Sequence, residues 1–221
     1  MSVSKKVFVG QQHREVESTK TKAFLDFEKY VKPVLENHFS GTIYTDMMMS
    51  SDGKVLETMA GQSADRWSGR DGHVEIRKNG RFGARYNLSF AHRLQWSTFY
   101  NSFSLREWKK QASADDYETE VAKMVDGWRF GYDRPQLLIQ SFLKQDGSLS
   151  IGIAKYDDIA KFLAKRVLTN KEESGQGKWE RKEVWKYGTK LATFISLPWV
   201  YLQEKGVDVE VIAPVPVQVA V

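Results

Sequence analysis

The sequence contains no cysteine. Disulfide scaffolding, thiolate metal sites and cysteine nucleophiles are excluded together. A chain of 221 residues is large enough to fold without such staples. Long apolar runs are also missing: none approaches the roughly 18–20 residues of a membrane-spanning helix. The first ten residues carry two lysines and no long apolar stretch of the kind a secretory leader needs. Cytoplasmic residence without membrane association is the expectation. Histidine is scarce, and His13, His38, His73 and His92 are scattered with no pair at zinc-site spacing. A phosphate-cradling glycine loop is absent, and no serine stands in a nucleophile elbow.

What the chain does have is core material. Hydrophobic residues make up 41% and aromatics 13%, which argues for one large domain or one domain with an appendage. The net charge is +5 and the isoelectric point about 9.2, a balance compatible with a polyanionic partner.

Helical spacing of Phe24, Phe27, Val31, Val34 and Leu35 predicts a helix from Ser18 to His38, broken near Lys32 by Pro33. Thr42 to Met49 reads as a strand. Lys54 to Met59 reads as a short helix. Asn79-Gly80 is the strongest hairpin signal, and its second arm, Arg81 to Trp96, alternates with one face more apolar. A short strand over Asn101–Arg106 and a helix over Asp115–Val125 follow. Strands over Gln136–Leu143 and Ser148–Ala154 flank an Asp146-Gly147 turn, and a helix covers Asp157–Leu168. This order predicts an α+β (mixed α/β) class: a central mostly antiparallel or mixed sheet flanked by helices. The expected organisation is a core domain over residues 1–170 and a basic, aromatic extension over 171–221 that packs on it.

Three constellations carry possible chemistry. The first is Asp65 ahead of a strand pair whose second arm contains Arg93-Leu94-Gln95. With the order of a helix, three strands, a helix and a strand pair, this part of the chain resembles the PD-(D/E)XK, or restriction-endonuclease-like, superfamily over roughly Ser18 to Val167. The resemblance implies a nuclease-like core with Mg²⁺, a metal-binding Asp65, and Arg93 and Gln95 at the two ends of the third-strand motif. Glu28 or Glu36 would be the first-helix acid. The superfamily has a carboxylate where this chain has Arg93 and a lysine where it has Gln95. Oxygen ligands hold the divalent ion that activates water, so Asp46, Glu57 or Glu75 would have to substitute. The alternative reading makes Asp65 a turn residue and Arg93 and Gln95 strand polars.

The second is Lys144-Gln145-Asp146-Gly147, which resembles the Lys-x-Asp-Gly core of covalent nucleotidyltransferases such as RNA ligases but also reads as a hairpin turn. The third is basic. Between Lys161 and Lys190, nine cations face four carboxylates, an excess equal to the whole net charge. Lys178, Trp179, Arg181, Lys182 and Lys186 interleave cations with an aromatic, a composition suited to phosphates and bases. Arg77, Lys78, Arg81 and Arg85 surround the Asn79-Gly80 hairpin as a second cluster.

Two functional expectations result. One is a nucleic-acid-binding protein, DNA ahead of RNA: a metal-dependent nuclease or nuclease-derived domain of the kind phages and mobile elements carry. The other is a non-catalytic structural or interaction module, docking to a partner or a second copy through the Val/Pro-rich Val211–Val221 segment.

Overall fold

In the computed structural model, residues 19–51, 55–57, 70–77, 85–96, 101–109 and 119–216 are described. The first described element is a helix, α1, over residues 19–39. The predicted break at Pro33 is replaced by a π-helical turn, Phe27–Val31, in which the Lys32 amide donates to the Phe27 carbonyl. Helix geometry then resumes over Lys32–Phe39, with proline in its first turn. The wider turn absorbs a residue that lacks an amide donor and crowds the preceding carbonyls.

The main sheet has six strands. In order they are β1 (Gly41–Thr45), β4 (Gly72–Arg77), β5 (Arg85–Trp96), β7 (Leu137–Leu143), β8 (Ser148–Lys155) and β11 (Val209–Pro216). β5 and β7 are parallel, and every other neighbouring pair is antiparallel. The class is α+β with a mixed, largely antiparallel central sheet. A second sheet has the order β6 (Ser102–Lys109), β10 (Thr189–Pro198), β9 (Glu180–Lys186). A small ribbon pairs β2 (Met47–Met49) with β3 (Val55–Glu57). The ribbon corrects the predicted helix over Lys54–Met59: β-branched Val55 and the facing methionines pair across the Ser50–Gly53 turn signal.

Strand alternation divides the core in two. Ile43, Val74, Phe90, Ile139 and Ile151 pack under Phe27, Val31 and Leu35 of α1. Leu138, Phe142 and Ala154 face the opposite way. There they meet α2 (Glu120–Phe130), α3 (Tyr156–Phe162, continued by a π-turn over Leu163–Val167), α4 (Trp199–Glu204) and the inner face of the second sheet. A strand buried on both faces reads as a continuous apolar run, and β7 is one, interrupted by Gln140 and Ser141. Residues 171–216 supply β9, β10, α4 and β11, and Trp179, Ile195, Leu197 and Trp199 belong to the same core as Phe103 and Leu163. β11 is an outer strand of the main sheet, paired with β8.

Gly152 on β8 lies under the Trp199 indole. A Cβ there would sit 2.2 Å from Cε2 of the ring. Gly152→Ala is expected to destabilise the fold by about 1–3 kcal/mol or more through overpacking. The midpoint of urea unfolding, with unchanged slope, checks this.

Candidate functional site

The sequence motif on β5 lies at the junction of the two layers. Phe90 and Leu94 join the core under α1 and Ala91 the opposite one, so alternation carries Arg93 and Gln95 toward the second layer. Arg93 donates from Nη1 to the Ser104 carbonyl of β6 at 2.7 Å and from Nη2 to Oε1 of Glu120. The other Glu120 oxygen accepts the Arg106 amide at 2.9 Å. The guanidinium stands 5.4 Å from the Phe194 ring centre on β10. Gln140 on β7 donates to the Arg93 carbonyl at 3.2 Å and accepts the Ser104 amide at 3.4 Å. Glu120 occupies the first turn of α2, where a carboxylate is favoured by the helix dipole, and Thr119 caps that turn through the Ala122 amide.

Asp71 precedes β4. Its amide donates to the Phe90 carbonyl at 2.9 Å, and its carboxylate accepts the His92 amide at 2.7 Å. Asp71, Arg93, Glu120, Lys123, Gln140 and Tyr156 line a cavity of about 170 Å³. Desolvation lowers the Arg93 pKa, and the charges of Glu120 and Asp71 oppose that shift; a guanidinium stays charged regardless. Burial, reinforced by the Glu120 and Asp71 charges, raises the Tyr156 pKa and keeps its hydroxyl protonated. On the opposite face His92 packs on Phe27, 4.7 Å between ring centres, and its Nε2 meets Ser141 Oγ at 3.0 Å. Desolvation pushes the His92 pKa down to about 3, so the imidazole is neutral.

Among the described residues, the side chains around Arg93 do not fit the Mg²⁺ that the nuclease resemblance implies. The position at which the resemblance implies an acid holds Arg93, whose cation is already bound to Glu120. Among the described residues, no group of three or more His, Asp and Glu side chains converges as an ion-holding cluster. Of the expected substitutes, Asp46 lies 3.5 Å from Arg70 and Glu75 3.8 Å from Arg85; of the two candidates for the first-helix acid, Glu28 lies 2.8 Å from Lys32 and Glu36 accepts the Ile43 amide at 2.9 Å. Asp65, Lys78 and Arg81 lie outside the described residues, as do the side chains of Glu57 and Arg77. Gln95 is half-buried on β5. Asp71, Glu120 and Gln140 were not singled out from sequence. Signals for two of them existed: an Asp-Gly immediately ahead of an alternating strand, and one glutamine inside an apolar one.

The Lys-x-Asp-Gly motif is the β7–β8 turn. Asp146 Oδ1 accepts the Ser148 amide at 2.8 Å, and Gly147 sits at φ 80°.

The basic tail forms an arm. All residues from Arg181 to Thr189 are exposed, so β9 and the turn that follows it are solvated on both sides. Lys186 pairs with Thr189, leaving the two-residue turn Tyr187-Gly188 with φ of 50° and 70°, both positive as a type I′ turn requires. Trp185 is 57% and Tyr187 88% exposed. The cations are largely matched by carboxylates. Arg181 grips Glu107 at 2.8 Å and Lys190 pairs with Glu183 at 2.5 Å. Lys182 lies 3.6 Å from Glu180 and Lys178 3.8 Å from Glu173, and Lys186 stands 5.6 Å from the Tyr187 ring centre. Trp179, expected beside these cations as a stacking surface, is buried, its Nε1 donating to the Glu172 carbonyl at 3.2 Å. The Glu172 carboxylate holds the arm's base by accepting from the Tyr201 hydroxyl, Lys205 and Arg166. These partners pull its pKa down to about 2.

Comparison with protein families, curated proteins and solved structures returns no match for this chain.

Arg93→Ala would leave Glu120 and the Ser104 carbonyl without their cation. It is expected to cost about 1–3 kcal/mol, below the figure for a fully buried pair because Glu120 is 38% exposed. Arg93→Met with Glu120→Gln should recover part of this loss in chemical denaturation. His92 adds a pH dependence. The unfolded imidazole takes up a proton below about pH 6.5 and the folded one resists to about pH 3, so stability falls as pH drops through that interval. His92→Gln should lose less stability than the parent between pH 7 and pH 4.5, measured by the same unfolding curves.

Proposed function

We propose that this protein binds nucleic acid through the β9–β10 arm and does not cleave it. The observation that carries the reading is the exposure of Trp185 and Tyr187 at the end of a ribbon set with Arg181, Lys182 and Lys186. Flat rings stack on bases and cations meet phosphates. Arg85, exposed on β5, adds a cation outside the arm. The run of α1, β1, β4, β5, α2 and β7, with β5 parallel to β7, supports a restriction-endonuclease-like origin of the phage or mobile-element type. DNA is placed ahead of RNA on that ground. Arg93 in its ion pair with Glu120 supports the loss of cleavage, because a bound guanidinium stands where a metal ligand belongs.

A second reading has its own observation. The β2–β3 ribbon exposes Met48, Met49 and Leu56, at 53%, 43% and 48%, an adaptable apolar surface suited to a protein partner.

Purified protein incubated with labelled DNA and RNA in Mg²⁺, Mn²⁺ or EDTA should retard the nucleic acid on native gels and leave it intact on denaturing gels. Metal-dependent cutting that disappears in Asp71→Ala would replace this reading with an active nuclease. Absence of any retardation would turn attention to the β2–β3 surface.

A further inference from the structure

The Tyr187-Gly188 turn carries a residue that the backbone disfavours. Type I′ turns favour Asn, Asp or Gly at the first central position, where φ is positive. Tyrosine there brings its Cβ against the following carbonyl. Nothing in the fold compensates through burial, since the ring is 88% exposed. Its contact within the arm is the Lys186 ammonium at 5.6 Å. Backbone strain held at an exposed aromatic points to a ligand as the group that uses it.

The arm's charge narrows the ligand. Of its five cations, Lys178, Arg181, Lys182 and Lys190 face Glu173, Glu107, Glu180 and Glu183 in the pairs described above, and Lys186 stands by the Tyr187 ring. A net charge of +1 remains among these groups. Such an arm displaces few counterions from a phosphate backbone. Affinity then has to come from the rings, and a ring stacks on a base whose face is open, as in a single strand.

We propose that Trp185 and Tyr187 form a stacking site for unpaired bases, so that the protein prefers single-stranded DNA to duplex and binds it with weak salt dependence. This deepens the nucleic-acid reading above and rests on it. Tyr187 is held in a strained turn for the purpose of contact with the base, and the fold would be more stable without it.

The test uses the full chain and a fluorescein-labelled 20-nucleotide oligo(dT). Competitors are a mixed-sequence 20-base-pair duplex and a single strand of that mixed sequence. Anisotropy is read at 50 and 200 mM salt. The parent should bind either single strand at least tenfold more tightly than the duplex. Its affinity should fall less than about tenfold between the two salts, as one to two phosphate contacts require. Trp185→Ala and Tyr187→Asn should each weaken single-strand binding roughly tenfold or more. Tyr187→Asn should at the same time raise Tm by about 2–4 °C, because asparagine tolerates the left-handed turn. Duplex binding equal to single-strand binding, or single-strand binding unchanged in Tyr187→Asn, would overturn the stacking site while leaving nucleic-acid binding in place. No binding to any of the oligonucleotides would overturn both.

Discussion

One guanidinium joins the two layers of this protein. Arg93 leaves the central sheet and reaches β6 through the Ser104 carbonyl, α2 through Glu120 and β10 through the Phe194 ring. Gln140 closes the same circuit from β7. A cation at a half-buried site between packed layers is tolerated when carboxylate and carbonyl oxygens meet its donors. In this arrangement α2 keeps a fixed rotation over the sheet, because Glu120 must face Arg93 and the Arg106 amide together. The residue that stood out in the β5 sequence is therefore also the residue that fastens the two layers.

The arm stands apart from that junction. It is anchored at its base, where Glu172 gathers Arg166, Tyr201 and Lys205 and Trp179 is buried beneath it. Beyond the base its residues are solvated. A rigid root with an exposed tip presents side chains without committing the core to their conformation, which is how loops and ribbons on stable scaffolds carry recognition.

The sheet was largely legible in the sequence. Alternation in Leu88–Gln95, the Asp146-Gly147 turn and the apolar run Leu137–Leu143 each specify one answer, and the structure has it. Pro33 was less informative, because a π-turn offers a helix another way past proline. The candidate site was legible in part. Arg93 stood out by its position, but its partner Glu120 lies 27 residues away and no local spacing announces it. Trp179 and Trp185 are indistinguishable by composition: each is a tryptophan among lysines and glutamates. Their opposite fates, 3% against 57% exposed, depend on a core assembled from Phe103, Leu163 and Trp199, which no window of neighbouring residues contains.

The pairing of β6 with β10 also orders the protein's assembly. Ser102 and Ser196, joined across that pair, are 94 residues apart in the chain. During synthesis β6 emerges from the ribosome long before the strand that covers its edge. The β9–β10 hairpin, closed by two residues, needs only local contacts to pair; β6 must wait for the chain to reach it. Until then Phe103 and Leu105 have no facing Leu197 and Ile195, and an uncovered apolar strand edge is a template for the wrong partner. The C-terminal quarter of the chain thus acts as the closing piece for the layer that precedes it, and translation that stops short of Pro198 would release a protein with that edge still open.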